Sequence, residues 1–322
     1  MTSFFFRGRR LAGFGTVAVA VAGLALLTVG AQATPQNTDR TIYVSAVGNN
    51  GMPMVDPPLT AAELTVMEDG APREITKIAK ADSPIYFALA YDTSLCDETE
   101  RRGSCESENR TANANHFVGQ MLRDALNGFT SVILAAAPSS KILVMDMAGA
   151  AVAKTEFTSN IKDIEPILSR LVPQKGEPVL NEALMDLSHR MAKVPAGNRK
   201  VVVIVNREPT TEGSTGAQYK IVGEDARKSG ATFWALSVRY GTKQNGGRDE
   251  LLKAIATNSG GLRLTISSTQ PLGDYLRSVA ANAVVQYAVT FKRPADAPPT
   301  KITSLKTSRT DLRPLTMQWS DK

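Results

Sequence analysis

The chain is poor in the side chains on which many cofactor and metal sites depend. Its 322 residues include only two cysteines and two histidines. Zinc-finger arrays, iron–sulfur proteins and disulfide-rich small domains need more of these side chains, so all three classes are excluded. The sequence also lacks a His-Glu-x-x-His motif, a Gly-x-Ser-x-Gly motif and a phosphate-binding glycine loop. Nothing in it therefore indicates an enzyme.

An excess of charge of one sign is also nearly absent. The 37 Lys and Arg against 31 Asp and Glu give a net charge of +6. Three of the arginines, Arg7, Arg9 and Arg10, precede an apolar run, and without them the net charge falls to +3. The other basic residues are interspersed with acids, so a nucleic-acid partner is not indicated. A hydrophobic content of 43% is typical of a globular protein.

The N-terminal segment has the pattern of a secretory signal peptide. The three arginines are followed by an uncharged apolar run over 11–30 and by Ala31-Gln32-Ala33, a small-x-small cleavage pattern. We predict a signal peptide over residues 1–33, cleaved after Ala33, and a secreted or periplasmic protein. Arg9-Arg10 leaves a twin-arginine export signal open. A second alternative is an uncleaved anchor, since an apolar run of ~20 residues can cross a bilayer, and only then would the membrane be a partner.

Both ends of the remaining chain are rich in β-strand patterns. Alternating or β-branched segments lie at 41–47, 64–68, 74–78, 284–292, 301–307 and 316–319. Asp69-Gly70 predicts a hairpin turn between the second and third of these. Neither end, 34–83 or 271–322, is long enough for a hydrophobic core of its own. We therefore predict that they pair and form one small β module.

The middle of the chain, residues 84–270, alternates apolar strands with amphipathic helices. Predicted strands lie at 85–91, 141–147, 200–205, 232–238 and 261–266. Predicted helices lie at 116–137, 160–171, 178–193, 216–229 and 248–258, and a further one at 271–282 follows. Asn160 is a candidate N-cap, and Pro178 a candidate first residue of its helix. The predicted fold class is α/β, a Rossmann-like, open, mostly parallel sheet with helices on both faces.

The order of four passages resembles the von Willebrand factor type A domain, and more closely the bacterial secreted "VWFA-related" Acidobacterial-type subfamily. The passages are Glu63–Ile75, Phe87–Ser94, Lys200–Asn206 with Ala226–Leu236, and Leu276-Arg277 with Gln286–Phe291. The resemblance spans roughly 41–310. It implies that residues 84–270 form a type A-like domain flanked by the β segments.

The resemblance also implies a place for a metal ion. Type A domains often bind a divalent ion through Asp-x-Ser-x-Ser after the first strand, a Thr before a later helix and an Asp after the fourth strand, at the carboxyl end of the sheet. Asp92 and Ser94 match this pattern. Cys96, Pro178 and Asn206 stand where the second Ser, the Thr and the second Asp are expected.

These departures weaken a site for a hard cation. Sulfur is a poor ligand for Mg²⁺ or Ca²⁺, proline offers no side-chain oxygen and asparagine removes a negative charge. We predict a degenerate site with no metal and no cofactor. The alternative is a rebuilt site that holds Mg²⁺ or Ca²⁺ through Asp92, Ser94 and Glu177, which is next to Pro178.

Cys96 and Cys105 are the only cysteines. An even count in an exported protein favours one disulfide, which would close the polar loop 97–104 and stabilise the fold by ~2–3 kcal/mol. A catalytic thiol with His116 and a two-cysteine metal site are the alternatives, and no third group at motif spacing accompanies either of them.

We therefore predict an extracytoplasmic protein–protein interaction module of the adhesion or scaffold type. Its partner would bind the vestigial metal-site face without metal, at Asp92, Ser94, Cys96, Glu177, Pro178 and Asn206. A metal-dependent adhesin with an atypical divalent-ion site is the first alternative. An enzyme of unrecognised class, for example one that uses Cys105, is the second.

Overall fold

Two sheet assemblies make up the described part of the chain. A computed structural model describes residues 37–48, 53–54, 58–95, 116–208, 216–239, 246–297 and 303–315. All of these belong to one compact unit, Asn37–Lys322. The predicted signal peptide, Cys96, Cys105 and the predicted strand at 316–319 lie outside the described residues.

The strands and helices are numbered along the chain. The strands are β1 (Asn37–Gly48), β2 (Leu64–Glu68), β3 (Ala71–Arg73), β4 (Ile75–Lys80), β5 (Ile85–Tyr91), β6 (Ser94–Leu95), β7 (Lys141–Asp146), β8 (Val152–Ala153), β9 (Gln174–Lys175), β10 (Arg199–Glu208), β11 (Thr232–Arg239), β12 (Arg263–Ser267), β13 (Gln286–Pro294), β14 (Thr303–Thr307) and β15 (Leu312–Leu315). The helices are α1 (Arg123–Ala136, continuing a π-helical segment Phe117–Leu122), α2 (Ile161–Leu168), α3 (Leu180–Ala192), α4 (Gly216–Ser229), α5 (Gly246–Asn258) and α6 (Leu272–Val284). A short 3-10 turn, Ala61–Glu63, precedes β2.

The central sheet has the order β12-β11-β10-β5-β7-β8. Its strands are parallel except β8, which runs antiparallel to β7. Successive residues of β5 point to opposite faces, and nearly all of them are buried. Phe87 and Leu89 pack against α1, α2 and α6, whereas Ala88 and Ala90 face α3, α4 and α5. The continuous apolar run of β5 is thus explained by helices on both faces.

The two ends of the chain form the second assembly. One sheet has the order β15-β1-β13-β4, and the other has the order β14-β2-β3. β1 and β13 pair antiparallel along nine positions, from Asn37↔Pro294 to Ser45↔Gln286. Apolar side chains from both sheets, among them Val44, Val66 and Phe291, share one buried cluster. The predicted fold class is confirmed, including the small β module built from both ends.

One buried carboxylate holds four strands of this module together. Glu68 of β2 is only 1% exposed, and three arginine side chains surround it. Its Oε2 atom lies 3.0 Å from Arg73 Nε and 3.2 Å from Arg293 Nε, and its Oε1 atom accepts a hydrogen bond from Arg40. Because these arginines belong to β3, β13 and β1, the cluster joins the two sheets.

The predicted hairpin around Asp69-Gly70 is partly wrong. Both turn residues have positive φ, +47° and +84°, as a tight hairpin turn requires. However, β2 pairs only with the three residues of β3 and with β14, and the predicted second strand becomes β4, which pairs with β13 in the other sheet. β4 does not continue the hairpin with β2. It pairs with β13 instead, where Ile75 and Ile78 pack on the shared apolar cluster.

The helix predicted to begin at Pro178 begins instead at Leu180. Pro178 forms a β-bridge with Ala148, and Val179 is the N-cap with φ −106° and ψ 64°. The extended pairing therefore prevents a helical start at the proline. By contrast, Asn160 is the N-cap of α2, as predicted, and its side chain accepts a hydrogen bond from Lys162 N.

No helix among the residues with described structure is both long and apolar enough for a membrane span.

Candidate functional site

The predicted site residues converge where the order of the central sheet reverses. In the central sheet, β5 pairs with β7, the next strand of this sheet along the chain, on one side. On its other side β5 pairs with β10, which comes later in the chain. Ligands of open α/β sheets bind at such a switch point, outside the carboxyl ends of the strands. Asp92 follows β5 directly, and its N–H donates to Val205 O of β10 at 3.1 Å. Asn206 comes next in β10, so both residues lie at this carboxyl edge.

Asp92 is turned into the protein rather than toward solvent. Its side chain is 1% exposed, and its Oδ1 atom accepts a hydrogen bond of 2.9 Å from Ser94 N. Its Oδ2 atom is buried and has no hydrogen-bond partner among the described residues. Ser94 is itself 3% exposed. The two residues that match the metal-site pattern therefore form a buried turn.

A second carboxylate, which the sequence pattern did not single out, lies beside this turn. Asp146 ends β7, and its two oxygens accept from Thr93 Oγ1 at 2.9 and 2.7 Å. Burial raises the pKa of Asp146 above its usual range, whereas the hydrogen bonds from Thr93 and Ala148 N lower it and the charge of Asp92 raises it further. Because Thr93 lies between Asp92 and Ser94, its bond to Asp146 fixes the turn against β7.

The segment 174–179 closes one side of the site. Gln174 N donates to Thr93 O at 2.8 Å, and Glu177 O accepts from Gly149 N at 2.7 Å. Pro178 is buried, and Glu177 is half-buried. Gly149 and Gly176, with φ of +68° and +106°, allow the two backbones to touch. A Cβ atom on Gly176 would lie 2.7 Å from Gly149 Cα.

Replacing Gly176 with Ala is expected to lower the free energy of unfolding by about 2–3 kcal/mol, from backbone strain together with the clash. Gly197→Ala is the matched control, since Gly197 has φ +84° but no atom within 4 Å of a built Cβ. It should cost only the strain, about 1 kcal/mol. Urea unfolding of both variants measures the difference. Equal losses would show that the contact between 149 and 176 does not matter.

Both the oxygen and the nitrogen of the Asn206 side-chain amide are hydrogen-bonded. Its Oδ1 atom accepts from Ser237 Oγ at 2.9 Å, and its Nδ2 atom donates to Glu208 Oε1 at 3.2 Å. Asn206 and Ser237 are each 0% exposed. Glu208 Oε1 also lies 3.7 Å from Arg248 Nε, and Glu208 and Arg248 are both 2% exposed. A buried chain of polar groups therefore runs from β11 through β10 to the first turn of α5.

A buried arginine reaches the turn from the other side. Arg207 is 7% exposed, and its Nη2 atom donates to Ser94 O at 2.8 Å. The N–H of the same residue, Ser94, donates to Asp92 Oδ1. A carboxylate and a guanidinium therefore bind the two backbone groups of one residue.

These side chains do not fit the divalent ion that the resemblance implies. The amide of Asn206 is bound at both ends, and Pro178 contributes no side-chain oxygen. Cys96 lies outside the described residues. Within the described ranges, no group of three or more His, Cys, Asp and Glu side chains could hold a metal ion. Of the described residues at the metal-site positions, Asp92 alone has a buried oxygen atom, Oδ2, that has no hydrogen-bond partner and would be stabilised by a cation.

The structure thus brings Asp92, Ser94 and Asn206 to one edge, with Glu177 and Pro178 in the neighbouring segment. Cys105 lies outside the described residues, so the predicted disulfide with Cys96 stays a prediction. His189 lies on an exposed helix face, with its Nε2 atom 3.3 Å from Asp225 Oδ2. Four further polar residues of the site, Thr93, Arg207, Glu208 and Arg248, lie in segments predicted from the sequence to frame this face, at 92–105, 206–213 and 240–248, but were not singled out there. Asp146 was missed. Asp146 had a visible signal, since it is the acid that ends an apolar strand.

No protein-family model matches the chain, and no curated protein is similar to it in sequence. Solved structures of similar fold include the SpRpn10 VWA domain, at 10% identity and a TM-score of 0.44, over 60% of this chain and 93% of that one. A von Willebrand factor type A protein from Catenulispora acidiphila has 10% identity and a TM-score of 0.46, over 90% and 76%. BatB from Bacteroides thetaiotaomicron has 14% identity and a TM-score of 0.42, over 62% and 96%. Identities this low carry no information on function.

Proposed function

We propose that the chain is an extracytoplasmic protein-interaction module that binds a partner protein at the carboxyl edge of its parallel sheet without a bridging metal. The signal-peptide pattern of residues 1–33 supports the compartment. The position of Asp92, Ser94 and Asn206 at the switch point supports the location of the binding surface.

The observation that carries the proposal is that most polar atoms of the site are hydrogen-bonded to other groups of the same chain. A metal-bridged surface needs oxygen ligands that share an ion with the partner. Here Asp92 Oδ1, both ends of the Asn206 amide and both oxygens of Asp146 are bound to groups of the same chain. A partner would therefore meet a fixed surface and bind it through shape and hydrogen bonds.

Exposed residues around this edge supply the contact surface. The exposed residues are Gly149, Ala150, Gln174 and Lys175. Gln174 and Lys175 form β9, which pairs with β6 at the end of the Asp92 turn. Lys175 is a suitable probe because it is charged and exposed and lies on the rim of the site.

The test places a photo-crosslinking amino acid at Lys175, in the full chain, in the organism that produces it. Lys228 is the matched control, since it is an exposed lysine that ends α4 at the opposite, amino edge of the sheet. We expect a defined crosslinked protein at position 175 and not at 228. Crosslinks that are equal at both positions, or confined to 228, would contradict the proposal.

With that partner purified, Lys175→Glu should weaken binding about tenfold or more, because a charge reversal at a contact rim costs about 1.4 kcal/mol or more. Lys228→Glu should leave the affinity unchanged. Titration calorimetry of both variants measures the affinities. Equal affinities for the two variants would place the interface elsewhere.

One observation favours a metal-dependent adhesin as a second candidate, namely the buried and unpartnered Asp92 Oδ2 atom. The same titration in EDTA and in Mg²⁺ or Ca²⁺ separates the two. The metal-free proposal predicts equal affinities, and the adhesin predicts that EDTA abolishes binding and that Asp92→Ala does the same.

A further inference from the structure

We propose that Arg207, together with the Glu208–Arg248 pair, takes the place of a divalent ion at the switch point and closes it to metals. Arg207 is then a positioning residue whose guanidinium supplies the positive charge beside the Asp92 turn. This inference rests on the proposed metal-independent function and says which side chains make the surface independent of metal.

Arg207 and Asp92 hold the backbone of the turn at Ser94 from two sides. Asp92 Oδ1 accepts from the N–H of Ser94, and Arg207 Nη2 donates to the carbonyl of Ser94 at 2.8 Å. A bound ion would organise such a loop by attracting its oxygen atoms. Here the guanidinium of Arg207, a residue that is only 7% exposed, attracts the carbonyl oxygen instead. The turn is therefore held without an ion.

The amide at position 206 is matched to the carboxylate of Glu208. Asn206 Nδ2 donates to Glu208 Oε1 at 3.2 Å, in a region where both side chains are almost fully buried. An aspartate at 206 would direct a carboxylate oxygen at the carboxylate of Glu208, and two buried like charges at that distance repel strongly. Glu208 thus requires a neutral donor at the position where the resemblance places a metal-binding acid.

The buried charge of Glu208 is itself compensated by an arginine. Arg248 Nε lies 3.7 Å from Glu208 Oε1, and both side chains are 2% exposed. A buried acid of this kind persists when a buried cation compensates it. Arg248 comes from the first turn of α5, so the pair also fixes that helix to the end of β10. Because Arg248 and Glu208 compensate each other, the positive charge that a divalent ion added at this edge would meet is that of Arg207.

Mn²⁺ binding, measured by electron paramagnetic resonance on the full chain without partner, tests the inference. The wild type and Asn206→Asp should bind no Mn²⁺ at millimolar concentration. Asn206→Asp combined with Arg207→Met should bind Mn²⁺ at concentrations about tenfold or more below that limit, because the buried positive charge of Arg207 is gone while the acid at 206 remains.

Two controls separate charge from packing. Asn206→Asp combined with Arg207→Lys keeps the positive charge and should still exclude Mn²⁺. Asn206→Asp combined with Arg277→Met removes an arginine that is 59% exposed, and should behave like Asn206→Asp. Equal Mn²⁺ binding by the Met and Lys variants at 207 would overturn the inference, as would Mn²⁺ binding by the wild type.

If the double variants do not fold, the single variants Arg207→Met and Arg207→Lys give the same decision. Mn²⁺ should raise the melting temperature of the Met variant relative to EDTA and leave that of the Lys variant unchanged. Equal responses in the two would overturn the inference. None of these measurements involves a partner, so their failure is distinct from a failure of the crosslinking test of the proposed function.

Discussion

Replacing Glu68 with Gln is expected to lower the free energy of unfolding by about 3–5 kcal/mol, the usual cost of removing one partner from a buried ionic cluster. Glu68 is 1% exposed and contacts Arg40, Arg73 and Arg293. The neutral amide would leave three guanidinium groups without this counter-charge, in side chains that are themselves only 18–36% exposed. The β module would lose the contact that joins β1, β2, β3 and β13.

Glu74→Gln is the matched control, because it makes the same substitution a few residues away. Glu74 pairs with Lys292 at 3.0 Å, but the two side chains are 67% and 42% exposed. An exposed ion pair of this kind contributes about 0–1 kcal/mol. Urea unfolding, with far-ultraviolet circular dichroism as the probe, measures both variants. Similar losses for Glu68 and Glu74 would mean that the buried cluster does not hold the module.

Gly261→Ala is expected to have an effect of similar or larger size, a loss of about 4 kcal/mol or more. A Cβ atom on Gly261 would lie 1.9 Å from the carbonyl oxygen of Phe233, and a backbone atom cannot move aside as a flexible side chain can. Gly261 follows α5, and its N–H donates to Ala256 O at 2.9 Å. The chain is therefore fixed on both sides of the clash.

Gly128→Ala provides the opposite expectation from the same chemical change. Gly128 is an exposed residue inside α1, and no atom lies within 4 Å of its built Cβ. Alanine there should raise the free energy of unfolding by about 0.5–1 kcal/mol, since glycine is a poor helix former. Thermal unfolding of the two variants should shift in opposite directions. A tolerated alanine at 261 would show that the packing of β11 against this loop is looser than described.

Local patterns were sufficient to predict five of the six strands of the central sheet, all except the two-residue β8. Continuous apolar runs such as Ile85–Tyr91 indicate strands covered on both faces, and the structure has them. The failure at β4 has a physical reason, because alternation in Ile75–Lys80 shows that it is a strand but not which strand pairs with it. That choice depends on β13, which is distant in the sequence and offers its second edge to β4.

The site was less accessible to prediction from sequence. Asp92 and Asn206 each follow an apolar run in the sequence, so their convergence at one edge could be expected. Arg207 and Glu208 were not predicted to be buried because the strand was predicted to end at Val205, whereas β10 continues to Glu208. The burial of Arg248 was not predicted because arginine is seldom fully buried without a partner, and its partner, Glu208, is distant in the sequence.

Because β1 pairs with β13, which is far along the chain, the pairing of β1 is delayed during synthesis. Thr38 and Arg293, bonded across the two strands, are 255 positions apart. At the usual ~5–20 residues per second, the ribosome needs tens of seconds to make the second strand after the first. Throughout that time β1 has neither β13 nor β15 to pair with, since both are still to be translated. The nascent chain thus carries an unpaired strand edge until its last tenth is made, which is the period in which a chaperone would have most to protect.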